Sequence, residues 1–137
     1  MLRAGTEELR QAFWYHVHFA GAADAPSSRL ILFYAVECGM KAAWLRRKGM
    51  RHTDQIPDSL RLHGHDLRQW AKALHLPATL ELPGQVRLSR SPGAESAGCA
   101  QVHEAWRYGI RLHEADEKAL MNALQGLQAK VRQEVGR

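Results

Sequence analysis

Leu30-Ile31-Leu32-Phe33-Tyr34-Ala35-Val36-Glu37-Cys38-Gly39-Met40-Lys41-Ala42-Ala43-Trp44-Leu45 is apolar around nearly the whole helical circumference. A helix of that kind has to be covered by neighbours on several sides. The wider stretch from Ser28 to Gly49 therefore predicts a central helix. Asp24, Ser27 or Ser28 can cap its start, and Pro26 suits a first turn. Arg46-Arg47-Lys48 followed by Gly49 puts cations and a left-handed stop where the helix dipole favours them. At about 1.5 Å per residue such a helix spans roughly 30 Å, the width of a small domain. A membrane span needs about eighteen uncharged residues, and Arg29, Glu37 and Lys41 interrupt the run.

Glu37 and Lys41 stand four apart, acid before base, so they can pair on one side of this helix. A pair in so apolar a helix is partly buried, and it either faces a cleft or is neutralised at the edge of the core. Gly39 lies between them and marks a tight crossing or the approach of a ligand.

The 137 residues suffice for one domain with a real core, residues 1–137, and are too few for two. Nineteen Lys and Arg against fourteen acids leave a net charge of +5. That balance favours an anionic partner, with nucleic acid the leading candidate. The two cysteines, Cys38 and Cys99, form neither a metal-ligand spacing nor a disulfide framework, which is what a reducing cytoplasm leads one to expect. The N-terminus has no continuous apolar run of the kind a secretory signal carries. No metal or other cofactor is expected; His63 and His65 form only an x-His-x-His loop without a third ligand at a telling distance.

Along the chain, Thr6-Glu7-Glu8 opens a first helix on which Leu9, Phe13, Val17 and Ala20 recur at helical spacing, and Gly21 to Asp24 ends it. Met50 to Gly64 reads as an exposed, mobile loop. Asp66 caps a third helix carrying Leu67, Trp70, Ala71 and Leu74, stopped by Pro77. Thr79-Leu80-Glu81-Leu82 and Val86-Arg87-Leu88-Ser89 alternate around Pro83-Gly84-Gln85 and suggest a minor hairpin. Ser89 to Gly98 is rich in Ser, Gly, Ala and Pro and reads as flexible. A short helix through Trp106 breaks at Gly109, and Leu120, Leu124, Leu127 and Val131 form one face of a last helix. The expected fold is an all-α bundle of four to five helices.

This order resembles the HEPN superfamily, small helical-bundle domains of prokaryotic toxins and defence proteins. Four stretches carry the resemblance: Phe33 to Ala42 in the second helix, Gly64-His65-Asp66-Leu67 opening the third, Trp106-Arg107-Tyr108, and the last helix itself. The resemblance implies a motif of Arg, four to six residues, then His, which in the members that cleave RNA supplies the catalytic pair. Five such spacings occur: Arg10/His16, Arg46/His52, Arg47/His52, Arg68/His75 and Arg107/His113. Position selects Arg107 and His113, just before and at the start of the last helix. Gly109 departs from the usual pattern, and a structural reading of the same residues has Arg107 anchored to Glu37 or another core carboxylate.

A histidine with a pKa of about 6.5 can take the proton of a ribose 2′-hydroxyl while an arginine holds the phosphate, so such a pair needs no metal. The products are a 2′,3′-cyclic phosphate and a 5′-hydroxyl. Arg111 and His103 are expected to extend the RNA-binding surface. The resemblance also implies a homodimer, for which Trp14, Tyr15 and Phe19 supply aromatic bulk. The competing expectation is a non-catalytic RNA- or protein-binding module, a partner or neutraliser of an enzyme encoded nearby.

Overall fold

The computed structural model describes residues 3–20, 26–89 and 95–136. Its elements are α1 (Thr6–Ala20), α2 (Pro26–Arg47), a 3-10 turn at Thr53–Gln55, α3 (Asp58–Arg61), α4 (Leu67–Ala73), a 3-10 turn at Ala78–Leu80, β1 (Gln85–Arg87), β2 (Ser96–Gly98), a 3-10 turn at Cys99–Gln101, α5 (Val102–Arg107) and α6 (Glu114–Val135). The fold is a mostly helical bundle with a small two-stranded sheet.

α2 is the axis of the bundle because no side of it can face water. Leu32, Phe33, Ala35, Val36, Met40, Ala42, Ala43, Trp44 and Leu45 are all buried, and α1, α4, α5 and α6 pack around them. Each fully buried large side chain of this set stabilises the fold by about 1.5–3 kcal/mol. α1 contributes Leu9 and Phe13, and α6 contributes Leu120, Leu124, Leu127, Val131 and Val135, the face its spacing predicts. The crossing is tightest at Gly39. A methyl group there would overlap Val131 Cγ1 and lie 2.7 Å from Phe13 Cδ1, so three helices meet where one side chain is missing.

α5 ends at Gly109, whose φ of 72° permits the Ile110 amide to reach the Ala105 carbonyl at 2.8 Å. α4 closes in the same way: the Leu76 amide bonds the Ala71 carbonyl at 3.0 Å, with His75, not glycine, in the left-handed position at φ 52°. The C-terminal end is held by Trp14 Nε1, which donates to the Gly136 carbonyl at 3.0 Å, and by Arg46 Nη1, which donates to the Glu134 carbonyl at 3.0 Å.

Three expectations need correction. Met50 to Gly64 is structured: Ala4 N donates to Thr53 Oγ1 at 2.8 Å, the Thr53 amide returns to the Ala4 carbonyl at 2.8 Å, and Thr53, Ile56 and Leu60 are buried. The strand partner of Val86 is Ala97, in register Gln85↔Gly98 and Arg87↔Ser96, whereas Ala78–Leu80 coils into a 3-10 turn. Ser96–Gly98 is thus a strand inside the segment expected to be flexible, because small side chains let Ala97 bury beside Val86. The one-turn α3 lies within the former loop and adds to the helices that the spacing predicts, in the mostly helical bundle expected. The turn expected at Gly21 to Asp24, including the Asp24 cap, and residues 90–94 lie outside the described residues. Among the described residues no helix is long and apolar enough to cross a membrane.

Candidate functional site

Tyr34, Glu37, Cys38 and Lys41 follow one another at i, i+3, i+4 and i+7 on α2, which puts them on one face. Glu37 and Lys41 are each 8% exposed. Lys41 Nζ donates to Glu37 Oε2 at 3.0 Å, so the buried carboxylate and ammonium balance each other. The second carboxylate oxygen is also occupied. His65 Nδ1 lies 2.7 Å from Glu37 Oε1. A carboxylate only accepts, so Nδ1 carries the proton and Nε2 of a neutral ring keeps its lone pair.

His65 is placed by the turn ahead of α4. The Asp66 amide bonds the His63 carbonyl at 2.9 Å, and Asp66 caps the helix by accepting from the Arg68 amide at 3.2 Å. The His65 side chain is 53% exposed, so one edge meets solvent while the other is tied to a buried carboxylate. Its ring lies 4.3 Å from that of His103 on α5. His103 in turn stacks on Phe33 at 5.6 Å and tilts against Tyr34 at 6.3 Å.

His103 is 3% exposed, and its Nδ1 has no hydrogen-bond partner among the described residues. Burial pushes its pKa below the usual 6.5, and the neighbouring His65 and Arg107 act in the same direction, against Glu104 and Glu37. His103 is therefore neutral near pH 7. The sequence placed it with Arg111 on an anion-binding surface; the structure places it in the interior behind His65, because the aromatic face of α2 covers it. His16, on α1, is likewise lowered by burial and feels Glu37. The Cys38 thiol is pushed up to about 11, chiefly by burial and then by Glu37, which leaves it unreactive.

Arg107 follows His103 by one helical turn on α5 and acts electrostatically on both His103 and Tyr34. It is exposed, donates to Tyr108 Oη at 3.2 Å and stacks over that ring at 5.0 Å. Glu37, which was one candidate anchor for it, is taken by Lys41 and His65. His113 keeps other company. It occupies the N-cap position of α6 without a side-chain cap bond, and its Nδ1 lies 3.3 Å from Arg87 Nη2 and 3.7 Å from Asp116 Oδ1. Arg87 makes three 2.9 Å bonds to Asp116 and holds that carboxyl well below the usual range. Arg111 is exposed nearby, its carbonyl accepting from the Ser89 amide at 2.8 Å. The structure thus joins Glu37, Lys41 and His65, packs His103 behind His65 with Arg107 one turn further along α5, and seats His113 with Arg87 and Asp116.

His65 is the residue that sequence spacing passes over. One signal for it was present: a buried Glu37 with two oxygens needs more than Lys41, and Gly64-His65-Asp66-Leu67 is a polar turn with a capping acid. Among the described residues no three His, Cys, Asp or Glu side chains converge as a metal-ligand set. A groove of about 630 Å³ between α4 and the sheet is lined by Asp66, Arg68, Lys72, Glu81 and Cys99, among others, and includes none of the histidine cluster. Compared with protein-family models, with curated proteins and with solved structures, the chain gives no match.

Proposed function

We propose that the chain is a metal-independent endoribonuclease, of the HEPN-like toxin or defence type, in which His65 and not His113 is the base. The observation that supports this reading is the 2.7 Å contact between His65 Nδ1 and the buried Glu37 carboxylate. A carboxylate behind Nδ1 fixes the ring's orientation and tautomer and leaves Nε2 to accept a proton. His65 Nε2 takes the proton of a ribose 2′-hydroxyl, and the oxygen attacks the adjacent phosphorus. Arg107 holds the phosphate oxygens and offsets the charge that builds on them. The 5′-oxygen leaves with a proton from solvent, and the His65 imidazolium returns the proton it took to the same solvent, which reaches the half-exposed ring. Lys41 keeps Glu37 balanced, and His103 is a positioning residue packed behind His65.

The test is incubation of purified protein with single-stranded RNA and with DNA of the same sequence, both in a divalent chelator. The reading expects cleavage of RNA alone, with 2′,3′-cyclic phosphate and 5′-hydroxyl ends. RNA bound but left whole would replace the enzyme with a binding module; cleavage lost on chelation would contradict the side-chain chemistry.

A further inference from the structure

Outside the histidine cluster, the most unusual surface is on α1. Tyr15 and Phe19, four residues apart, are 68% and 52% exposed, and their rings lie 5.7 Å apart at an interplanar angle of 27°. Together they make a nearly flat aromatic step standing in solvent. A groove of about 560 Å³ runs beside it, lined by Arg10, Gln11, Trp14, His18 and the two rings. Two guanidinium groups stand beside it: Arg132 stacks over Trp14 at 5.0 Å, and Arg10 lines the groove while pairing with Glu7, whereas His18 packs edge-on to Phe19 at 5.4 Å.

The same helix reaches the proposed site. His16 is next to Tyr15 and three residues, about 4.5 Å along the axis, from Phe19. It lies within electrostatic range of Glu37, the carboxylate that holds His65.

We infer that Tyr15 and Phe19 are a base-stacking platform that selects single-stranded RNA, an assignment that rests on the nuclease reading for its cleavage consequences only. Flat exposed rings beside cations suit unpaired bases on a polyanion, since every base presents a π-face. A duplex buries those faces in its own stack. A second copy of this chain fits less well, because a two-fold contact sets the guanidinium groups of Arg10 and Arg132 against their own copies.

The test uses a fluorescent 2′-O-methyl RNA of about twelve nucleotides, which lacks the attacking hydroxyl and stays whole whether or not the protein cuts. In fluorescence anisotropy, Tyr15→Ala with Phe19→Ala is expected to weaken binding about tenfold or more, at the scale of one or two lost base stacks. Tyr15→Phe keeps the ring and binds as wild type, and a duplex of the same sequence binds more weakly than the strand. Unchanged affinity in the double variant, or equal affinity for duplex and strand, would each overturn the assignment. So would a fall in mass by light scattering at unchanged RNA affinity, which would make the patch a self-association surface. Wild type that binds the methylated strand through these rings yet leaves unmodified RNA whole would sink the nuclease reading and leave the platform standing.

Discussion

Among the described residues, His65 and His113 each stand beside a carboxylate, and the two settings differ in everything that decides chemistry. His65 lies 2.7 Å from Glu37, which is buried and, among the described residues, otherwise bonded to Lys41. His113 lies 3.7 Å from Asp116, which is already engaged three times by Arg87 at the surface. Asp116 therefore has little left to give its histidine, whereas Glu37 has one oxygen dedicated to it. Low dielectric around Glu37 strengthens that contact, and solvent weakens the other. An Arg-to-His spacing along the chain says nothing about either difference.

The largest effect that separates the two regions is on stability. Glu37→Ala leaves the Lys41 ammonium buried without its partner, which is expected to cost about 3–5 kcal/mol in chemical denaturation. Adding Lys41→Met, which removes the stranded charge and keeps the volume, recovers most of that loss. Asp116→Ala, which breaks only surface pairs, should leave the melting temperature nearly where it was. If Glu37→Ala melts like wild type, the α2 pair is not the buried network described.

A smaller effect comes from acidification. His103 and His16 have folded pKa values below the usual 6.5, chiefly through burial, so the unfolded chain takes up protons first as pH falls. Their contribution is complete above about pH 6.5 and is lost progressively below it, at no more than about 1.4 kcal/mol per pH unit for each group. Thermal melts between pH 7.5 and 5.5 should show this decline. His103→Phe, which keeps a ring against Phe33 and cannot titrate, should flatten it; an unaltered slope would show that His103 does not carry the proton linkage.

The smallest expected effect concerns another copy of the Arg-to-His spacing, Arg68/His75. His75 sits at φ 52° with an exposed side chain, a backbone region that costs most L residues about 1–2 kcal/mol. Part of that is returned as chain entropy when glycine replaces it. His75→Gly is therefore expected to stabilise the fold by about 0.5–1 kcal/mol in urea titration, and destabilisation would show that the ring makes a contact the backbone strain conceals.

What could be read from the sequence was local. The apolar circumference of α2, the acid-before-base spacing of Glu37 and Lys41, the Asp66 cap, the Gly109 stop and the buried face of α6 each depend on residues within a turn or two. His65 meets Glu37 and His103 across three separate elements, and no periodicity encodes such a meeting. The strand error has the same origin: Val86 pairs across a loop with a Ser-Ala-Gly segment whose composition resembles a linker. The missed α3 is different. Thr53, Ile56 and Leu60 recur at spacings of three and four, a signal that the surrounding charges and Pro57 obscured.

The central claim, that Glu37-oriented His65 is the working base, is tested most directly by RNA cleavage rates of His65→Ala and His113→Ala compared side by side at equal folded fraction. His65→Ala should lose about 10²- to 10⁴-fold, the typical worth of a positioned general base, while His113→Ala cuts within a few-fold of wild type. The reverse result, with His113→Ala inactive and His65→Ala cutting as wild type, would return the reaction to the α6 N-terminus and contradict the account.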